Sequence, residues 1–141
     1  MTQISADEGK WVRSQPVNKD TSPHSGQTIL VVEDEALVRM DISEALRNHG
    51  YHVLEAANGD DAVKLLAQGM SIHLVFTDIR MPGKFDGFDV ARRAEASGLP
   101  VLVTSGHVYP DEVPRGMQPL IAKPSTHNHV LHLIERKLRK S

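Results

Sequence analysis

From Thr28 onward, short β-branched or fully apolar runs alternate with longer stretches whose apolar residues recur at helical spacing. Thr28 to Val32 is a β-branched apolar run suited to a buried strand. Glu35 to His49 follows with Val38, Ile42, Ala45 and Leu46 on one helical face, and Gly50 closes it. Tyr51 to Ala56 reads as a second strand. Asp60 to Gln68 reads as a helix with Ala62, Leu65 and Leu66 inward, stopped by Gly69. Ile72 to Thr77 is a third strand, fully apolar at Leu74, Val75 and Phe76. A short helix from Gly87 to Ala96 ends at Ser97-Gly98. Val101 to Thr104 and Leu120 to Ala122 supply a fourth and a fifth strand. Thr126 to Arg139 is a last helix carrying Val130, Leu131, Ile134 and Leu138 inward. Such alternation across short links predicts an α/β fold with right-handed crossovers and a parallel sheet covered on both faces.

Residues 1–27 break the pattern. Ile4, Trp11, Val12 and Val17 follow neither a helical nor a strand period. Pro16 and Pro23, among Ser, Asn, Asp and Gly, favour an unfolded leader, which leaves residues 28–141 as the domain. Trp11 then belongs to a flexible tail; the alternative is an arm that docks on its own domain, a second subunit or a partner. Composition narrows the class. The 141 residues are 40% hydrophobic, enough for one core plus a tail. With 16 Lys and Arg against 18 Asp and Glu, the formal net charge is -2, which argues against a nucleic-acid surface as the main function. The absence of cysteine excludes disulfides and thiolate chemistry. No apolar run approaches the ~18 residues of a membrane span, and no apolar signal core stands at the start. The expectation is a soluble, cytoplasmic, non-membrane protein.

Ligands of parallel sheets bind outside the carboxyl ends of the strands. There the first strand runs into Glu33, Asp34 and Glu35, the third into Asp78, the fourth into Thr104-Ser105 and the fifth into Lys123-Pro124. Neighbouring carboxylates repel by ~4 kcal/mol per pair at an effective dielectric near 20, so the cluster takes up protons or recruits a cation. Hard oxygen donors without His or Cys point to Mg²⁺. A carboxylate beside Mg²⁺ can attack phosphorus and hold an acyl phosphate, with a lysine and a hydroxyl neutralising the phosphoryl oxygens. Asp78, alone at a strand end before the Met81-Pro82-Gly83 turn, is the best nucleophile candidate. The simpler alternative for any single acid is a helix cap, as Glu33 to Glu35 offer the first helix.

These residues resemble the receiver domain of two-component response regulators. The resemblance spans Thr28 to Arg139 and rests on five segments in order: Ile29 to Glu35, Thr77 to Gly83, Asp86-Gly87, Pro100 to Gly106, and Ala122-Lys123-Pro124. Asp34 and Asp78 lie 44 positions apart, which suits the family's intervening elements. The resemblance implies a flavodoxin-like, doubly wound, five-stranded sheet of order 2-1-3-4-5. It implies that Asp78 accepts a phosphoryl group from a sensor histidine kinase, giving a phosphoprotein. Glu33, Asp34, Asp78 and the Arg80 backbone carbonyl would hold Mg²⁺, with Asp34 the more direct ligand of the first pair. Ser105 takes the hydroxyl switch position and Lys123 pairs with the phosphoryl or with Asp78. Thr104 is one position early and should face the other side of its strand. Slow self-dephosphorylation by water is the accompanying expectation.

Four departures limit the resemblance. Leu120 stands where the family often has Tyr or Phe, so an aromatic switch is absent or differently built. The stretch from Ser105 to Lys123 is short and contains Pro110, Pro114, Gly116 and Pro119. An interior proline costs a helix about 3 kcal/mol, so the usual fourth helix is expected to be truncated or replaced by a loop, with the usual output and dimerisation face in question. The loop Met81 to Gly87 is one residue longer than the commonest version, and Ser125 follows Pro124 in place of the frequent Phe. Two residues should overhang the phosphoryl site, Arg80 and His107.

His127, His129 and His132 cluster near the last helix, where solvated surface histidines are the simpler reading than a metal site. Arg136, Lys137, Arg139 and Lys140 complement the helix dipole and are too few for direct DNA binding. The chain stops after this helix, so the expected output is a protein contact: relay to a histidine phosphotransfer protein, or phosphorylation-dependent binding or homodimerisation. Two rivals stand beside this non-enzymatic reading. A phosphatase of the haloacid dehalogenase type would need Asp-x-Asp after the first strand, where Glu33-Asp34-Glu35 stands; a degenerate receiver would serve as a constitutive binding module. One expectation is testable at once. If Arg80 pairs with a phosphoryl oxygen and hinders water, Arg80→Ala shortens the half-life of the Asp78 phosphoryl group; if Arg80 is merely solvated or paired with a nearby acid, the half-life stays unchanged.

Overall fold

A computed structural model describes residues 26–105 and 126–139 in full and residues 120–122 by their backbone. In chain order the elements are β1 (Thr28–Val32), α1 (Ala36–Asn48), β2 (His52–Ala56), α2 (Gly59–Ala67), β3 (Leu74–Asp78), α3 (Gly87–Ala96), β4 (Val101–Ser105), β5 (Leu120–Ala122) and α4 (His127–Arg139). All strand pairs are parallel and the sheet runs β2-β1-β3-β4-β5, the expected flavodoxin-like order. The expectations for the leader up to residue 25, for the region between β4 and β5, and for Lys123 and His107 fall outside the described residues.

The apolar runs explain why both faces are covered. Every residue of β3 and β4 is buried, and so are Ile29 to Val32 of β1. Alternate side chains then enter two separate cores. Leu30, Val32, Val75, Val101 and Val103 meet Ala62 of α2 and Val90, Ala91 and Ala94 of α3. Ile29, Val31, Leu74, Phe76 and Leu102 meet Ile42 and Leu46 of α1 and Val130, Leu131 and Ile134 of α4. Burying one such aliphatic side chain contributes roughly 1.5–3 kcal/mol, so these layers set the register on which the strand ends depend.

Local signals begin and end the helices. Asn58 Oδ1 accepts from the Asp61 N–H at 2.8 Å, so α2 starts at Gly59, one residue before the expected Asp60. Asp86 and Asp89 form a reciprocal capping box at the start of α3. The N–H of Asp86 holds the Asp89 carboxyl below its usual range; desolvation opposes it, and the Arg92 guanidinium adds to the lowering. Gly50 follows the α1 C-cap with φ of +99°, a conformation that costs glycine nothing. Most boundaries shift by one or two residues, and two of the shifts bear on the site: Asp78 is the last residue of β3 and Ser105 the last of β4, each placed inside the ladder by its pairing. One facing is corrected. Val38, expected inward, is 42% exposed, because burial on α1 begins only at Ile42 and the first turn lies at the rim. Ser43 is buried in its place.

Tyr51 lies in the core under α1 and α4. Burial, and secondarily Glu135, pushes its phenol up to about 12, with Arg139 opposing. The fold therefore favours the neutral phenol: this contribution is complete below pH 10, the ordinary tyrosine value, and is lost as pH rises through 12. Tyr51→Phe should make the alkaline decline of unfolding free energy shallower by about 2 kcal/mol. An equally steep decline in the variant would contradict this.

Candidate functional site

β1 delivers an acidic link to the carboxyl rim of the sheet. The Glu33 N–H extends the β1–β2 ladder by bonding the Ala56 carbonyl at 3.1 Å, which carries the Glu33 side chain into a buried position. Glu33 Oε2 accepts from the Glu35 N–H at 3.1 Å. Glu35 is the N-cap of α1 but makes no side-chain cap bond, so the capping alternative for its side chain does not hold. A residue that the sequence pattern did not single out, Arg39, braces the link. Its Nη1 donates to the Glu33 carbonyl at 2.8 Å and its Nε to Glu55 Oε1 at 3.3 Å. Arg47 holds the other Glu55 oxygen at 3.0 Å. A signal was present: a cation in the first turn of a helix opposes the dipole, so it needs another reason to be there.

β3 delivers the third carboxylate. Asp78 is 7% exposed, and its Oδ1 accepts from the Ile79 N–H at 2.8 Å. The Thr77 hydroxyl donates to the Asp78 carbonyl at 2.8 Å, and the Gly87 N–H to the Ile79 carbonyl at 2.8 Å. A Cβ on Gly87 would collide with the Asp78 carbonyl, so the first residue of α3 packs directly on the backbone of the site. Glu33, Asp34 and Asp78 each offer a carboxylate oxygen, and these oxygens all lie within 4.8 Å of one another. Glu33 and Asp78 are buried while Asp34 is exposed.

That donor set fits a hard divalent cation. Three oxygen donors stand together, no His or Cys among the described residues joins them, and their mutual repulsion is relieved by positive charge. The two strand-end hydroxyls are both buried. Asp78 is the ladder partner of Thr104, and Ser105, the last residue of β4, lies one position further toward the rim. Arg80 is exposed immediately beyond Ile79, and Leu120 opens β5. The histidines of α4 do not join the site. His127 Nε2 lies 2.8 Å from Asp41 Oδ2 on α1, His129 and His132 are exposed, and no second metal-ligating cluster occurs among the described residues. No helix among the described residues is long and apolar enough to cross a membrane.

Comparison with known proteins decides the family. The family model for the response regulator receiver domain matches residues 29–135. The chain belongs to the receiver domain family. The receiver is 35% identical over 113 residues to the transcriptional regulatory protein PdtaR of Mycobacterium tuberculosis, covering 76% of this chain and 54% of that protein. It thus spans about half the length of that relative. It is 30% identical over 128 residues to the two-component response regulator ORR3 of Oryza sativa, covering 85% of this chain and 97% of that protein. Among solved structures, a response regulator receiver protein from Sinorhizobium medicae matches with a TM-score of 0.74 and 31% identity, over 80% of this chain and 94% of that one. The receiver domain of the hybrid histidine kinase CckA matches with a TM-score of 0.68 and 31% identity, over 79% of this chain and 98% of that one.

If the receiver's three carboxylates hold a cation, MgCl₂ raises the melting temperature of the wild type. At ten times the dissociation constant the gain is about 1.4 kcal/mol. Asp34→Asn should lose most of this gain and, in chelator, should be at least as stable as the wild type because one repelling charge is gone. An equal Mg²⁺ effect on both proteins would contradict the assignment.

Proposed function

We propose that the receiver accepts a phosphoryl group from a phosphohistidine of a sensor histidine kinase onto Asp78, with Mg²⁺ held by Glu33, Asp34, Asp78 and the Arg80 backbone carbonyl. The observation that carries the reading is the convergence of three carboxylates at the carboxyl rim of a receiver sheet. Bound there, Mg²⁺ supplies neutralisation of the phosphoryl charge.

The chain's own residues do the rest. The Ile79 N–H holds Asp78 Oδ1 and so fixes the carboxylate plane at the strand end. An Asp78 oxygen attacks phosphorus in line as the P–N bond breaks; the imidazole leaves with that electron pair and takes up a proton. The Ser105 hydroxyl donates to a phosphoryl oxygen, and the Lys123 ammonium pairs with another. Water later attacks phosphorus and returns Asp78 to the free carboxylate, a slow self-dephosphorylation whose rate Arg80 and His107 tune.

The same reading makes the protein a cytoplasmic signalling module, not an enzyme of small molecules. Its output is relay to a histidine phosphotransfer protein, or a phosphorylation-dependent protein contact such as homodimerisation. Membership of the receiver family removes the ground for the phosphatase alternative, and the clustered acids argue against a degenerate receiver.

Incubation with acetyl phosphate and Mg²⁺, read by intact mass, tests the proposal. One phosphoryl adduct per chain is expected in the wild type and none in Asp78→Asn. Ser105→Ala should slow adduct formation about tenfold or more, as expected for loss of a donor to the transferring group, with Thr104→Val within about twofold of wild type. Multiple turnovers of phosphate esters would favour a phosphatase, and no adduct at all a binding module.

A further inference from the structure

We infer that Asp60, on α2, is a positioning residue for the metal loop: it fastens the lengthened β3–α3 link and thereby holds the Arg80 carbonyl where Mg²⁺ binds. The inference rests on the function proposed above and adds a residue that the site itself does not contain.

The link from Ile79 to Asp86 has two anchors. Its near end is tied to the sheet and to α3, because the Ile79 N–H bonds the Thr104 carbonyl at 3.1 Å and the Ile79 carbonyl accepts from the Gly87 N–H at 2.8 Å. Its far end is tied to a different element. Asp60 Oδ1 accepts from the Lys84 N–H at 3.2 Å and from the Phe85 N–H at 3.1 Å, across 24 and 25 residues of chain. Hydrogen bonds to a carboxylate are roughly twice as strong as those between neutral groups, and here one oxygen takes two consecutive amides.

The surrounding packing is cut to this contact. Gly83 has φ of +111°, and a Cβ there would lie 3.1 Å from Asp60 Oδ1. A Cβ on Gly59 would collide with the Phe85 carbonyl, so α2 and the link touch backbone to backbone. The Arg93 guanidinium of α3 lies 4.7 Å from the Phe85 ring centre. The segment between the anchors is Arg80-Met81-Pro82-Gly83, with Pro82 restricting the backbone. Arg80 therefore sits in a short span held at both ends. Without the Asp60 anchor the span is longer and looser, and its carbonyl has to be ordered each time the metal binds.

The alternative role for Asp60 is a first-turn acid that favours α2 through the helix dipole. The two roles differ in what asparagine does. Asp60→Asn keeps the acceptor oxygen and loses the charge, whereas Asp60→Ala loses both. Calorimetric titration of the full chain with MgCl₂ alone provides the readout. The Mg²⁺ dissociation constant should rise about 3- to 10-fold in Asp60→Ala, at or below the low end of outer-shell ligand effects, with Asp60→Asn within about twofold of wild type. Amide exchange at Lys84 and Phe85 should quicken in Asp60→Ala and stay slow in Asp60→Asn. Unchanged Mg²⁺ affinity in Asp60→Ala, or an Asp60→Asn as weak as Asp60→Ala, would overturn the latch and leave the function standing. A wild type that binds no Mg²⁺ would overturn both.

Discussion

Like charges are hard to keep together, and the rim of this sheet keeps three carboxylate oxygens within 4.8 Å of one another. Two of the acids are also buried, which removes the water that would otherwise soften the repulsion. The fold meets this constraint with fixed dipoles. Amide N–H groups of Glu35 and Ile79 point at Glu33 and Asp78, and the Arg39 guanidinium holds the Glu33 carbonyl from outside the cluster. Such donors are already oriented before any ligand arrives. A cation then finds its ligands in place, and little reorganisation opposes binding.

Parallel register is what brings the acids to one rim. β1 and β3 are neighbours, paired from Ile29 with Leu74 to Val32 with Thr77, so both strands end at the same edge. The two aliphatic layers hold that register because a one-residue slip would exchange the sides of every buried side chain. Gly87 then lets α3 press on the Asp78 carbonyl. A larger residue there would push the helix away and take the backbone of Asp78 with it. Thus core packing, strand ends and site geometry form one chain of causes.

Much of this was legible in the sequence because parallel strands buried on both faces are written as continuous apolar runs. Leu74 to Phe76 and Val101 to Val103 leave no other reading once helical stretches separate them. Glu33, Asp34 and Asp78 were legible for the same reason, as the first acids after such runs. Other features depend on distance in space. Glu55 draws Arg39 toward β2, although Glu35 stands at a favourable helical spacing from it. The Asp60 contact spans more than twenty residues, and no local pattern announces it. Val38 fits the apolar stripe of α1, yet that stripe outruns the surface that covers it. The rung shared by Asp78 and Thr104 likewise follows from register, which a single strand does not encode.

The central claim is that one of these clustered acids, Asp78, carries the phosphoryl group. Borohydride reduces an aspartyl phosphate to homoserine, leaving a permanent mark where a labile one stood. Peptide mapping of the wild type after acetyl phosphate, Mg²⁺ and borohydride is therefore the most direct measurement. The account predicts homoserine in place of Asp78 and unmodified Glu33 and Asp34; reduction at either of those, or at no residue, would contradict it.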